Sequence, residues 1–272
     1  MSKQQSYFFE SHKESLFAEL FIPTANSLSK AYVICAPFAE EKKSAHRSLV
    51  DLANSLSEKG FPVLLFDYSG CGDSSGEFCD ATLTNWIKDI NNAISFLKEK
   101  TGIKYTGLIG LRLGAYLLLQ KCISPCDEYV LIEPVINPSK YFRQILRQKL
   151  MKELITDGKV SSNRNELVRN LGQQQSIDFD GYEISPAFYD ELKQYSALEV
   201  KISSVHKPTL FLHISHTGKI SREVEKFHPY LEENNNILFR QLKLEPFWER
   251  IENAQYNPMI DEVVNFCTHN HE

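Results

Sequence analysis

The chain has 272 residues, 42% of them hydrophobic, and a formal net charge of −5, which suits one globular domain with an insertion, or two closely packed lobes. The acidic balance argues against a nucleic-acid surface, and no apolar run reaches the length needed to span a bilayer. A small polar or anionic molecule, or another protein, is the partner these properties leave.

The N-terminal stretch from Met1 to Tyr7 lacks the apolar core of a signal peptide. The six cysteines are scattered without a paired framework, so a cytoplasmic, reduced setting is expected. Cys122 and Cys126 lie four apart but no second ligand pair follows them, and neither a metal nor a cofactor is expected.

In chain order, Tyr7-Phe8-Phe9-Glu10 and Leu16 to Ile22 alternate around His12-Lys13-Glu14-Ser15 and read as an antiparallel hairpin at a sheet edge. Short, nearly continuous apolar runs follow at Ala31 to Ala36, Pro62 to Phe66, Thr106 to Leu111, Tyr129 to Ile132, Thr209 to Ile214 and Ile237 to Leu242. Such runs suit parallel strands buried on both faces. Helical stretches lie between them at His46 to Lys59, Leu83 to Lys100 and Leu113 to Cys122, the second with Trp86, Ile90, Ile94 and Leu97 on one face. Strand and helix alternating in this way give right-handed crossovers and a doubly wound, mostly parallel α/β sheet.

From about Asn137 to Val205 there is no strong strand, only helical and polar sequence. The expected division is a core of residues 1–136 and 206–272 with a helical lid, 137–205, inserted over the strands' carboxyl ends, where open α/β sheets place ligands.

The run Thr106-Gly107-Leu108-Ile109-Gly110-Leu111-Arg112-Leu113-Gly114-Ala115 has the shape of a nucleophile elbow, with arginine where a hydrolase carries serine. A guanidinium is always charged and has no lone pair with which to attack a carbonyl. The acid of a serine triad should follow the strand Thr209 to Ile214, where Ser215-His216-Thr217-Gly218-Lys219-Ile220 has no carboxylate; the base should follow Ile237 to Leu242, where Leu244-Glu245-Pro246-Phe247-Trp248 has no histidine. His269 and His271 read as solvated tail residues.

Longer strings carry a closer likeness. Pro37-Phe38-Ala39-Glu40-Glu41 with Ser44 and Arg47, Asp67 to Phe78 with Trp86 and Asp89, Gly110 to Ala115, Glu133-Pro134-Val135 and Pro246-Phe247-Trp248 together resemble the exosortase A system-associated hydrolase 2 family. The resemblance covers most of the chain. It implies an α/β-hydrolase fold with a helical lid, a setting in bacterial exopolysaccharide production, and Gly-Leu-Arg at the elbow as a family trait.

Several residues have two readings. Arg112 beside the Leu113 N–H and a helix N-terminus could form a socket for a carboxylate or phosphate, or could be an internal strut. Phe38 to Glu41 follow the first central strand, where this fold builds an oxyanion hole with residues such as Phe38 and Ala39. There the Glu40-Glu41 pair could neutralise Arg112 and leave a dipolar site that orients a polar substrate, one glutamate could act as a general base on water, or the run could be an exposed charged loop. Glu133 is a candidate ion-pair partner of Arg112 near the pocket floor. Trp248 is expected over the pocket mouth, stacking on substrate or anchoring its loop. His216 is a candidate general acid or base, or a solvated loop residue.

Gly70 to Gly76 reads as a tight glycine turn rather than a dinucleotide fingerprint, with Asp73 and Ser74 bonded to backbone. Cys71 reads as a buried thiol rather than a nucleophile, and an ordinary serine esterase using a serine elsewhere, such as Ser74, is a third reading. Two functional classes remain. One is an atypical hydrolase or transferase acting on an ester, thioester or carbohydrate-linked substrate through Arg112 and Glu40 or Glu41. The other, which the missing triad groups favour, is a non-catalytic binder of a polar or anionic ligand.

Overall fold

A computed structural model describes residues 3–24, 28–158, 163–195, 197–198, 202, 205–250 and 254–269. Strands β1 (Lys3–Ser11) and β2 (Glu14–Ile22) form the edge hairpin, turning at His12, whose φ is 57°. β2 runs antiparallel to β4 (Val63–Phe66). From there β4, β3 (Lys30–Cys35), β5 (Tyr105–Leu111), β6 (Glu128–Ile132), β9 (Thr209–Ser215) and β10 (Ile237–Lys243) are parallel, in the order β1-β2-β4-β3-β5-β6-β9-β10.

The apolar runs of β3, β4 and β9 are buried because helices cover both faces of the sheet. Helices α1 (Ala39–Glu58) and α9 (Asn257–His269) pack together, as do α2 (Leu83–Thr101) and α3 (Leu113–Leu118). The ends of α2 are set by local chemistry. The Thr82 hydroxyl accepts from the Asn85 N–H at its start, and Gly102 in the left-handed conformation closes it. Among the described residues no helix is long and apolar enough to cross a membrane.

Two helix boundaries differ from expectation. α1 begins at Ala39, seven residues before His46, so Glu40 and Glu41 lie in its first turn rather than on a loop, where acidic side chains favour the helix dipole. α3 ends at Leu118 rather than Cys122, passing into tighter turns closed by Leu119 N–H to Tyr116 O and Gln120 N–H to Leu117 O.

Between β6 and β9 the chain forms α4 (Pro138–Asp157), α5 (Arg164–Gly172), a hairpin of β7 (Ile177–Phe179) and β8 (Tyr182–Ile184), and α6 (Pro186–Gln194). The hairpin adds two short strands where no strong strand was expected. At three residues each, these strands are too short to register as a period-2 pattern. Two short helices, α7 (Arg222–Glu225) and α8 (His228–Glu233), lead from β9 to β10.

The crossing of β5 into α3 depends on two glycines. A Cβ on Gly114 would lie 2.3 Å from the Cys35 carbonyl oxygen and 2.6 Å from that of Ala36, and one on Gly110 would lie 2.4 Å from the Ala115 Cα. Helix α3 therefore starts directly against the carboxyl end of β3. Gly114→Ala is expected to lower unfolding free energy by about 3 kcal/mol, because the opposing atoms are backbone and cannot swing away. Gly102→Ala, with nothing within 4 Å but a φ of +70°, is expected to cost only about 1 kcal/mol. Paired urea titrations would check the ranking.

Candidate active site

Arg112 stands between β5 and α3 with φ 55° and ψ −116°, a conformation unfavourable for any side-chain-bearing residue. Ala39 after β3 has φ 47° and Glu133 after β6 has φ 39°. Three of the six described non-glycine residues with positive φ thus lie at the carboxyl ends of three adjacent central strands. Strain of this kind gathers where the surrounding structure holds a functional geometry.

The Arg112 side chain is 15% exposed, and its Nε lies 3.1 Å from Glu41 Oε1. The other Glu41 oxygen accepts from the Tyr141 hydroxyl at 2.8 Å. The guanidinium carbon also lies 5.4 Å from the Tyr141 ring centroid and 5.1 Å from that of Trp248, a cation set against two π faces. Nη1 makes a long contact of 3.4 Å with the Glu133 carbonyl oxygen. Nη2 has no hydrogen-bond partner among the described residues. Arg112, Glu41, Tyr141 and Trp248 all line a cavity of about 440 Å3 beneath α4.

Burial pushes the Glu41 carboxyl above the usual carboxylate range, against the pull of the Arg112 guanidinium and the Tyr141 hydroxyl. Burial also works against the Arg112 charge, but Glu41 beside it holds the guanidinium protonated more firmly than usual. Tyr141 is pushed well above the usual phenol range by burial and by Glu41.

Glu133 is not the ion-pair partner of Arg112 that its position suggested. Its carboxylate turns to β9, where Oε2 lies 2.8 Å from His213 Nδ1 and accepts the Ile214 N–H at 2.6 Å. His213 Nε2 accepts the Ser221 N–H at 3.1 Å, so the neutral ring carries its proton on Nδ1. Burial lowers the His213 pKa, but the Glu133 hydrogen bond and charge outweigh it and raise the imidazole above its usual value.

Of the other expected residues, Phe38 and Ala39 form the start of α1 and Leu113 opens α3. Trp248 is 4% exposed and packs on Arg112. Glu40 is half-buried, 4.0 Å from Lys43. His216 is 70% exposed, pairs with Glu245 and does not line the cavity.

Ser74 is engaged structurally. Its hydroxyl donates to the Asp67 carbonyl at 2.7 Å and accepts the Phe17 N–H at 2.9 Å. Asp73 contributes its backbone instead, donating its N–H to the Asp67 carboxylate at 3.0 Å. Burial pushes the Cys71 thiol up to about 12, so it is an un-ionised thiol. His269 lies on α9, its Nδ1 2.7 Å from the Asn265 carbonyl; His271 falls outside the described residues.

Tyr141 and His213 were not legible as site residues. Tyr141 is one aromatic in a polar helix, and His213 is one polar residue inside an apolar strand. The available cue for Tyr141 was its place in the first turn of the helix that follows Asn137-Pro138. Among the described residues no group of three or more His, Cys, Asp or Glu side chains could hold a metal ion.

A mostly parallel sheet in this strand order, with a strained residue on the sharp β5–α3 turn and helices above it, defines an α/β-hydrolase fold. Residues 33–226, well over half of the chain, match the family described as serine aminopeptidase, S33 (hydrolase 4), and the chain belongs to that family. The structure is similar to that of Est1E from Butyrivibrio proteoclasticus, solved with ferulic acid bound, with a TM-score of 0.68 at 15% identity over 97% of this chain and 98% of that one. It is similar to an esterase of Pyrococcus furiosus, with a TM-score of 0.67 at 15% identity, covering 98% of this chain and 91% of that one. A proline iminopeptidase of Mycobacterium smegmatis aligns with a TM-score of 0.60 at 12% identity, covering 97% and 98%.

In sequence, the mitochondrial palmitoyl-protein thioesterase ABHD10 of Homo sapiens and of Pongo abelii is 35% identical over 71 residues, which are 26% of this chain. That match spans only 22% of the length of those relatives.

Replacing Arg112 with Met leaves burial and Tyr141 as the main influences on Glu41, so its carboxyl pKa is expected to rise further. The ionised form then has no cation beside it. The stability deficit of Arg112→Met should therefore grow as pH rises through the Glu41 pKa, reaching on the order of 2 kcal/mol near pH 8, and shrink as pH falls. Carbon-detected NMR titration of the Glu41 carboxyl, with urea melts at three pH values, would check both. An unmoved Glu41 titration would overturn the pairing.

Proposed function

We propose that this α/β-hydrolase-fold chain lacks a serine triad and binds a small polar ligand with an anionic group, with residues 137–205 acting as the lid over its pocket. The observation that carries the reading is Arg112 itself. It holds the elbow position, lines the cavity, is fixed by Glu41 and two aromatic rings, and has no hydrogen bond at Nη2 among the described residues. A guanidinium fixed in this way can take a carboxylate or phosphate through its Nη edge at small entropic cost. The loops after β9 and β10 present His216 and Glu245 to each other at the surface, which supports a role without a base near the elbow.

The resemblance to the exosortase-associated family supports a ligand from bacterial exopolysaccharide production or a related pathway. A second reading, an atypical hydrolase or transferase for an ester, thioester or carbohydrate-linked substrate, rests on Glu41. A buried carboxyl raised above its usual range beside a cavity has the character of a general acid or base.

A thermal-shift screen of carboxylates, phosphosugars and acyl-CoA thioesters tests the binding reading. A ligand at one hundred times its Kd adds about 2.7 kcal/mol to the folded state, a rise of several degrees in melting temperature. The rise is expected to vanish in Arg112→Ala. A serine-directed phosphonate is expected to leave the wild type unlabelled, and stoichiometric labelling would overturn the absence of a nucleophilic serine. Turnover of any of these compounds that is lost in both Arg112→Ala and Glu41→Gln, with folding retained, would favour the second reading.

A further inference from the structure

Helix α4 changes character along its length. In its first half Tyr141, Phe142, Ile145 and Leu146 are buried against the body, as an amphipathic helix requires. In its second half the pattern inverts. The buried position there is Lys149, 2.7 Å from Glu153, while Met151, Leu154 and Ile155 are 51%, 47% and 80% exposed.

Exposed apolar side chains are ordinary when they stand singly. Elsewhere among the described residues they do so, because Phe8, Leu28, Tyr105, Tyr230 and Leu238 lie on separate segments. Met151, Leu154 and Ile155 instead share one stretch of five residues. Met151 and Ile155 also line a groove of about 390 Å3 with Arg147, Gln148, Lys152 and Thr156, and no carboxylate lines it.

The same face of the helix is basic in the turns that precede this stretch. At 3.6 residues per turn, Arg143, Arg147, Met151, Leu154 and Ile155 fall within an arc of about 120° and a length of roughly 18 Å. No acidic residue of α4 falls inside that arc. Both arginines are exposed, and neither has an ion-pair partner among the described residues. In a chain of net charge −5, a strip that joins apolar surface to charge of positive sign alone is set apart from its surroundings.

We infer that this face of α4 is a docking surface for an anionic lipid bilayer, with Met151, Leu154 and Ile155 entering the interface and Arg143 and Arg147 resting on the headgroups. Apolar side chains on an exposed helix sink into the headgroup boundary while cations beside them stay with the phosphates. The strip is convex, and its basic and apolar parts follow one another along the axis. A protein partner would have to offer acidic and apolar groups at matching spacing, whereas an anionic bilayer presents both everywhere along its plane. Arg147 and Gln148 line the cavity beside Arg112 as well as the groove, so docking sets that cavity next to the bilayer. The inference does not depend on what the cavity binds.

The test is co-sedimentation of the protein with vesicles of phosphatidylcholine alone, and of phosphatidylcholine containing about one third phosphatidylglycerol. It uses wild type, Ile155→Asp, Met151→Gln and Arg143→Gln. The wild type is expected to sediment with the anionic vesicles and to be released by raised salt. Ile155→Asp is expected to weaken that binding about tenfold or more, since a large apolar side chain no longer leaves water. Arg143→Gln is expected to weaken it about fivefold, with the difference lost at high salt. Met151→Gln, a milder change to the same strip, is expected to weaken binding severalfold and keeps the test decisive should aspartate at position 155 prevent folding.

A wild type that stays in solution with anionic vesicles overturns the inference. So does equal binding to both kinds of vesicle, or binding that none of the variants weakens. Sedimentation equilibrium without vesicles supplies the remaining arm: an oligomer that Ile155→Asp dissociates, with no vesicle binding, would assign the strip to a second copy of the chain and overturn the bilayer.

Discussion

The structure around the site depends on the close crossing of β5 and α3. Gly110 and Gly114 let the two backbones pass where any Cβ would meet backbone atoms, and the chain between them turns through positive φ at Arg112. That turn raises one side chain above the carboxyl edge of the sheet and aims it at the space under α4. Ala39 and Glu133 are strained in the same sense on the flanking strands.

The electrostatics follow from that backbone. A guanidinium raised into a mostly enclosed space needs compensation, and it draws on Glu41 from α1, the π faces of Tyr141 and Trp248, and the Glu133 carbonyl. Burying an ion pair costs desolvation that the pair's attraction only partly offsets. The arrangement is thus not explained as a device for stability alone, and the nearness of a cavity gives it a use. Glu133 meanwhile ties β6 to β9 through His213 and the Ile214 N–H. The esterases and the iminopeptidase share this fold at 12–15% identity, while the chemistry of any one member lies in a few side chains grafted onto it.

The sheet was legible because strands buried on both faces must be written as short apolar runs: five of the six runs correspond to the largely buried β3, β4, β5, β6 and β9, whereas the sixth, β10, is an edge strand whose residues are half-buried or exposed. The elbow was legible because its glycine spacing is a steric requirement. The start of α1 was not: Ala39-Glu40-Glu41-Lys42-Lys43 reads as a charged loop by composition, although these are strong helix formers. Pairing of side chains was the least legible level. The segment after the first central strand brings the Glu40-Glu41 pair within reach of Arg112, but nothing in the local sequence says that Glu41 is the one that meets it, 71 positions earlier, or that Glu133 is claimed by a histidine within a strand. Such contacts are fixed by how elements stack in space, which local periodicity does not encode.

Phe38, at the start of α1, has a consequence of a different kind. Its ring lies 5.1 Å from Phe188 and 6.3 Å from Phe179, both in the segment between β6 and β9, and 6.0 Å from Trp86 and 5.8 Å from Phe78 in the core. The helical segment is therefore cemented to the sheet by a continuous aromatic seam rather than hinged above it. Such a seam makes the two parts one cooperative folding unit. Replacing this segment with its counterpart from another family member would strip the core of ring partners, so the segment and the body beneath it are constrained to change together.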